Sequence, residues 1–368
     1  MAIKTTRGDK GAPLKGRGAS SNIEGRFERF SREEEDDGWV HDSSSEPLSP
    51  LKTVVTKEIA KSIISRNDSP DLPFEYSVNP YRGCEHGCSY CYARPSHGYL
   101  GLSPGLDFET RLFAKINASE LLRQDLAASR YVCKSIAIGV NTDAYQPIER
   151  ELRITRSIIE VLTACNHPFS VITKNALIER DIDLMRHAAE HRLVRAFISV
   201  TSLDAQLARQ LEPRAAAPYR RLAAIRRLAD AGIPVGVMIA PVIPFLNDRF
   251  IEEILERARE AGATEAGYVL LRLPYEVAPL FKEWLTTHVP LKAEHVMSLV
   301  RQMRGGKDYV STFGERQSGI GNFAALIAKR FDRACKQLGL NERYHEPLDT
   351  SRFRPPGPPG RGSQMTLF

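Results

Sequence analysis

An α/β fold built on a parallel sheet is what this 368-residue sequence predicts. Three observations carry the expectation. Short β-rich runs alternate with amphipathic helical stretches, the alternation repeats at intervals of about thirty residues, and a Cys-x3-Cys-x2-Cys loop follows the first of the runs. Strand–helix units in series imply parallel strands joined by right-handed crossovers, in a barrel, part of a barrel, or an open doubly wound sheet. In any of these, chemistry belongs on the loops at the C-terminal ends of the strands, and the cysteine loop lies at such an end.

The first segment, residues 1–50, reads as disordered. Gly, Ser, Lys and Arg dominate up to Ser21, an acidic run EEEDD (Glu33–Asp37) follows, and no apolar period is sustained. Residues 51–340 form the core region. Its first strand, EYSVNPY (Glu75–Tyr81), leads into the cysteines. Five more follow: IAIGV (Ile136–Val140), FSVITK (Phe169–Lys174), RAFISVTS (Arg195–Ser202), PVGVMIAPV (Pro234–Val242) and GYVLLRL (Gly267–Leu273). Pro241 and Pro244 predict that the fifth leaves regular pairing near its end, since proline cannot donate to a ladder. Between the strands, Ile154, Ile158, Leu162 and Cys165 fall on one helical stripe, Leu222, Ile225 and Leu228 on a second, with Gly232 as its stop. Ile251, Ile254, Leu255 and Ala258 make a third, behind a polar start suited to capping. Residues 341–368 form a second disordered tail, with a Pro/Gly tract that can be neither helix nor central strand.

Composition narrows the function classes. An apolar fraction of 42% and a charged fraction of 26% are those of a soluble globular protein. The most apolar run, Gly232–Leu246, carries three prolines and is too short for a bilayer span; the N-terminus is basic without an apolar h-region. The chain is therefore expected to be cytoplasmic, with reduced cysteines and no membrane partner. A net charge of +6 and a pI near 9.0 allow nucleic acid as a partner without indicating it.

Three of the six cysteines, Cys84, Cys88 and Cys91, crowd into CEHGCSYC. Metal ions and iron clusters normally take four protein ligands, so three leave a position open. On zinc, water, His86 or His97 would fill it; on a four-iron cluster, one iron would be free for a small molecule. Gly83 and Gly87 permit the tight backbone that converging thiolates require.

The stretch NPYRGCEHGCSYCYAR resembles the radical S-adenosylmethionine (SAM) superfamily, whose signature is Cys-x3-Cys-x-aromatic-Cys, with Tyr90 as the aromatic here. SPGLDFETRLFAK, GVNTDAYQPIE, ITKNALIERDIDLM, SVTSLD, LEPRAAAPYRRLAAIRRLADAGIPVGVMIAPVIPFLND and GYVLLRLP extend the resemblance to a DNA-repair-photolyase-like branch related to spore photoproduct lyase, over roughly Pro73 to Leu340. The resemblance implies a partial (β/α)6 TIM-like barrel. It also implies a [4Fe–4S] cluster on Cys84, Cys88 and Cys91, with SAM chelating the fourth iron. One electron from the reduced cluster would cleave SAM to methionine and a 5′-deoxyadenosyl radical, which abstracts a substrate hydrogen.

Further assignments follow from that resemblance. Asn141, Thr142 and Asp143 stand where the superfamily binds the SAM ammonium, although they depart from its usual Gly-Gly-Glu; a capped turn is the competing reading. Lys174 ends the third strand and would neutralise the SAM carboxylate or meet a substrate phosphate. Ser199 and Thr201 alternate on the fourth strand, point the same way, and would face the ribose or pack the barrel. Tyr90 is expected near the adenine, through its backbone. Arg214 and Arg272 sit near strand ends, where each could reach an anion. GERQSGIGNF (Gly314–Phe323) is a glycine-rich candidate phosphate loop. Spore photoproduct lyases return a hydrogen atom from a thiol, for which Cys133 is the candidate here. It precedes the second strand, however, at the end of a barrel away from the chemistry. Cys165 reads as a core residue.

The last five residues, QMTLF (Gln364–Phe368), resemble the peptide by which bacterial repair proteins dock on the β sliding clamp. The sequence thus predicts a radical SAM enzyme acting on nucleic acid in the manner of DNA photolesion repair. Its expected partners are DNA, the sliding clamp and a reductant. The alternatives are radical chemistry on RNA, a peptide or a metabolite, and a non-catalytic zinc or iron–sulfur interaction module.

Overall fold

A computed structural model describes residues 14–28, 51–342 and 347–357 of the chain. The six expected strands are all present and all parallel. They are β3 (Tyr76–Val78), β6 (Ile136–Ile138), β7 (Phe169–Thr173), β8 (Val194–Ser199), β9 (Val235–Val242) and β10 (Glu265–Leu270). They lie side by side in chain order, from β3 at one side to β10 at the other, with the short β2 (Ile64–Arg66) added antiparallel beyond β3. A doubly wound sheet reverses its order at a switch point. This one never does, and the chain-order sheet is that of a partial (β/α)6 barrel.

The helical stripes read from the sequence are the ones that bury. Ile158 and Leu162 of the Ile154–Ala164 helix, Ile225 and Leu228 of Pro218–Asp230, and Ile251, Ile254, Leu255 and Ala258 of Ile251–Glu260 have no exposure to solvent. Gly232 takes φ +77° just past the second helix and stops it, as expected. The polar start before Ile251 departs from expectation. No side chain caps the helix, and Asp248–Phe250 form a 3-10 turn instead. At the end of β9 the register against β10 shifts between Tyr268 and Leu270, beside Pro241.

A second, smaller sheet was not legible in the sequence. It joins β1 (Val54–Glu58), β5 (Arg111–Lys115) and β4 (Tyr81–Arg82) in the order β1-β5-β4. β4 lies two residues before Cys84, so this sheet grips the cysteine loop from its N-terminal side. The glycine-rich segment has a different role from the one expected. The Gly314 N–H donates to Asp71 Oδ1 at 2.6 Å, Arg316 pairs with Asp71 at 2.5 Å, and Gln317 O accepts from Leu270 N at 2.9 Å. It is a latch that ties the β2–β3 turn to β10, the two margins of the sheet, and its first amide, that of Gly314, is spent on Asp71.

Both tails need correction. Residues 14–28 are packed, with Arg17, Gly18 and Ala19 buried against the cysteine loop and Glu109. Their composition is polar because backbone amides and Arg17 make the contacts, so no apolar period betrays them. In the C-terminal segment, Phe353 packs against Tyr131 and His167, and Arg354 N donates to Cys165 O at 2.9 Å. Residues 347–357 are therefore held on the barrel, while Gln364–Phe368 and Glu33–Asp37 lie outside the described residues. Among the described residues no helix is long and apolar enough to cross a membrane.

Candidate active site

The cysteine loop leaves β4 through Gly83, whose φ is +76°; a Cβ there would stand 2.7 Å from Leu112 Cδ2 and 2.9 Å from Phe108 O. Gly87, with φ +65°, turns the loop back, and a Cβ would meet Glu109 Oε2 at 2.7 Å. Both positions require glycine, for the sterics the sequence suggested. Between them Cys84 N donates to Phe108 O at 2.9 Å, and beyond them Cys91 N donates to Cys88 O at 3.2 Å. Cys84 and Cys88 are buried and Cys91 is partly so.

Burial raises all three thiols above their ordinary range. The charges of Asp143, Cys88 and Cys91 add to the effect at Cys84, while Arg94 and Lys174 oppose it at Cys91. Three neighbouring thiolates in this setting need added positive charge. The nearest free source is Lys174. Its ammonium has no hydrogen bond or ion pair among the described residues, yet its charge bears on Cys88, Cys91 and Glu212. The structure thus brings Lys174 within electrostatic reach of the cysteines.

Which metal group fits follows from spacing. Tetrahedral zinc holds its thiolates about 3.8 Å apart, given Zn–S bonds of about 2.3 Å. Among the described residues the one trio with all donor atoms within 4.8 Å is the surface set His187, Glu190 and His191. The three thiols are spread wider, and neither expected imidazole closes with them. His97 Nε2 bonds Arg111 O at 2.9 Å, while His86 Nδ1 lies 3.2 Å from Asp143 Oδ2. Three thiols, two buried and one partly so, wider apart than one ion allows and faced by an unpaired ammonium, fit a multi-iron cluster with an open corner.

Asp143 holds the loop. Its carboxylate accepts from Thr173 Oγ1 at 2.6 Å, Tyr145 N at 2.9 Å and Lys174 N at 2.8 Å, besides meeting His86. Burial alone would raise it, but His86, Thr173 and the Lys174 amide outweigh that and bring it down to about 2. It is an ionised tether between the ends of β6 and β7 and the cysteine loop, with its lone pairs taken up by protein donors. Thr142 is buried and donates to Tyr81 O at 3.0 Å, so of the Asn-Thr-Asp group only Asn141 presents its side chain at the surface. The capped-turn reading describes Thr142 and Asp143.

Thr201 and Tyr90 meet at a residue that sequence reasoning missed. Both hydroxyls donate to Glu212 Oε1, and Arg221 pairs with its other oxygen. Burial would raise Glu212, but Arg221 and Lys174 more than offset that and hold it below the usual carboxylate range. Tyr90 therefore anchors the loop by its side chain. Ser199 is buried at the end of β8, and its carbonyl accepts from Arg221. A second missed carboxylate, Glu109, has no solvent exposure. It accepts the Gly18 and Ala19 amides, each at 2.9 Å, and pairs with fully buried Arg94. The one sequence signal for either was an acid beside a motif already noticed, in LEPR and DFET.

Arg214 pairs with Glu85 at 2.7 Å, and Arg272 lies over the Tyr92 ring at 5.0 Å. Cys133 precedes β6 and lies at the strand start, opposite the loops that carry the cluster cysteines. Burial pushes its thiol up to about 11. Its place at the strand start sets it apart from the site of the hydrogen-donor role, and Cys165 and Cys335 are buried against the barrel core.

Comparison with known proteins bears on the loop and the sheet together. The model of the radical SAM superfamily matches residues 78–258. An uncharacterised protein of Mycobacterium tuberculosis is 37% identical over 233 residues, 63% of this chain and 68% of that protein. An uncharacterised protein of Methanocaldococcus jannaschii is 26% identical over 269 residues, 73% of this chain and 96% of that one. Spore photoproduct lyase complexed with dinucleoside spore photoproduct superposes with a TM-score of 0.53 at 18% identity, covering 78% of this chain and 80% of that one. A mutant of that lyase with bound AdoMet and the same dinucleoside gives 0.55 at the same identity and coverage. At that identity the likeness is one of fold.

Proposed function

The chain belongs to the radical SAM superfamily, and from that premise we propose that it is an enzyme of radical chemistry on nucleic acid, in the manner of photolesion repair. The enzyme class and its cofactors, a [4Fe–4S] cluster and SAM, come with the family. When bound, they supply a 5′-deoxyadenosyl radical by one-electron cleavage of SAM. The chain's own residues do the rest. Cys84, Cys88 and Cys91 would hold the cluster, Lys174 offsets their charge, and Asp143 and Glu212 fix the loop from two sides. A primary carbon radical is quenched by any misplaced C–H or S–H bond, so rigidity of this loop is part of the chemistry.

The observation that carries the enzyme reading is the trio of clustered thiols, two of them buried, beside an unpaired ammonium at the C-terminal ends of parallel strands. Nucleic acid is supported by the likeness in fold to a lyase bound to a dinucleoside photoproduct, and the basic balance of +6 is compatible with it. RNA, a peptide or a metabolite remains the second reading. Docking of Gln364–Phe368 on the sliding clamp is a further part of the proposal, supported by sequence alone.

One experiment tests the chemistry and its substrate. Protein reconstituted without oxygen is reduced with dithionite in the presence of SAM and ultraviolet-irradiated DNA, with deuterium in the DNA. Mass spectrometry should find 5′-deoxyadenosine, and deuterium transferred into it from the DNA. Release of deoxyadenosine with no deuterium from irradiated DNA, but with deuterium from labelled RNA or peptide, would move the substrate to the second reading.

A further inference from the structure

The end of the helix Ile182–Glu190 carries a side-chain trio that the chemistry above does not use. We propose that His187, Glu190 and His191 form a binding site for a divalent transition-metal cation of the zinc kind, which clamps the helix end on which the C-terminal segment docks. The site stands apart from the cysteine loop, and the proposal does not depend on the radical chemistry.

The sequence itself brings the three together. In HAAEH (His187–His191) they stand at i, i+3 and i+4, so they share one face of a helix. Met185 and Ala188 point to the core instead and are buried, which turns the trio outward. Its donor atoms all lie within 4.8 Å of one another. His187 Nδ1 stands 3.6 Å from Glu190 Oε2, and the two imidazoles meet edge to face with centroids 5.3 Å apart. Ligands on a tetrahedral zinc ion, with bonds of about 2.0–2.1 Å, sit about 3.4 Å from one another. One pair is therefore almost in place, and closing the rest takes at most about 1.4 Å. The side chains are free to make that movement. His187 and Glu190 are 66% and 63% exposed, and among the described residues the trio's donor atoms have no hydrogen bond or ion pair outside it.

Two imidazoles and one carboxylate are a borderline-soft set. It selects zinc, nickel or copper over magnesium and calcium, which take oxygen ligands. A dipositive ion also suits the carboxyl end of a helix, where carbonyls without helical partners carry partial negative charge. Of the arginines that flank the trio, Arg192 bears on Asp349, which leaves Arg186 to oppose the cation. Water completes the coordination on a face this open, so the role is structural and not hydrolytic. Its consequence is local. Arg192 follows the trio directly, and its carbonyl accepts Asp349 N at 3.0 Å. A cation that links residue 187 to residue 191 holds the last turn, and with it the mooring of residues 347–357.

The test uses full-length protein with its cluster loaded and free iron removed, so that Cys84, Cys88 and Cys91 are occupied. Zinc chloride is titrated calorimetrically at pH 7.5 without oxygen, with magnesium chloride as the control. One zinc should bind per chain, and magnesium should give no binding heat. H187A/H191A should weaken zinc binding by at least about 100-fold, since even the partners behind a metal ligand are worth 10–100-fold. E190Q keeps both imidazoles and should cost about tenfold. Iron content and far-UV circular dichroism report whether each variant folds; if the double variant does not, E190Q decides. Zinc should also slow hydrogen exchange in residues 186–193 and 347–357 of wild type and leave the variants unchanged. A wild type that takes up no zinc, or variants that bind it as tightly, overturn the site. Zinc held by the trio with unchanged exchange in residues 347–357 overturns the clamp.

Discussion

Glu212 is 2% exposed, and its worth lies in the buried charge it balances. Arg221 is 1% exposed and finds its one carboxylate there, while Tyr90 and Thr201 fill the other oxygen. Glu212→Gln would leave the guanidinium buried without its anion, at a cost of about 3–5 kcal/mol. Urea denaturation measures it, and a loss below about 1 kcal/mol would mean that water or a rearranged partner reaches Arg221. His167 makes a second case, with a sign set by burial. Its Nδ1 meets Pro168 O at 2.9 Å and its Nε2 the Tyr131 hydroxyl at 2.7 Å; burial, against that first bond, lowers it to about 4 from 6.5. The unfolded chain therefore takes up a proton below about pH 6.5 that the folded chain refuses until about pH 4. Stability is whole above this window and falls by about 3 kcal/mol as pH drops through it. His167→Gln should flatten the acid limb of a stability–pH curve between pH 6.5 and 4; an unchanged limb would place the loss in another group.

Among the elements, the packed strap of residues 14–28 makes the sharpest demand on a single atom. A Cβ on Gly18 would lie 1.6 Å from Gly87 O, a backbone atom of the cysteine loop. Gly18→Ala cannot be absorbed by a rotamer, so the strap must lift from Glu109 or the loop must shift. Either should cost at least the 1–3 kcal/mol of an overpacked core and expose the loop. With the cluster loaded, oxygen should bleach its absorbance several-fold faster than in wild type; equal bleaching rates would show that the strap shields nothing. The strap also marks where sequence reasoning stops. The six barrel strands were legible because β-branched runs between turns carry their own signal, and the cysteines because their spacing is local. Gly18, Glu109 and Glu212 take their meaning from partners about 70 to 120 residues away or on another loop, and Arg17 at Glu109 O looks in sequence like any arginine of a polar tail. The β1-β5-β4 sheet escaped for a related reason. β1 is almost wholly exposed, so it shows no alternation of apolar and polar residues.

The molecule as a whole separates stability from chemistry. One large cluster of buried side chains, from Ile63 and Tyr76 through the barrel strands to Phe331 and Leu340, contains none of the cluster cysteines. Cys88 and Tyr90 belong instead to a second core with Leu211, Ile243, Phe281 and Trp284, and Cys84 to a small third one with Ala93 and Phe108. Only the second and third cores should depend on what the thiols hold, because binding energy at a site stabilises the structure that forms it. Stripped of iron, the protein should keep its barrel and loosen at the mouth. Far-UV circular dichroism should stay near that of the loaded protein, while limited proteolysis opens sites in residues 14–28 and 83–110 and in the connections that carry Leu211 and Ile243, and spares the strands β6 to β10 themselves. Loss of the whole dichroism signal on iron removal would contradict this, since it would mean that the barrel core cannot stand without the loop. The division has a mechanistic consequence. A loop pinned by Glu109, Asp143 and Glu212 onto a barrel that folds independently can be assembled around its cluster late, after the strands that aim it are already in register.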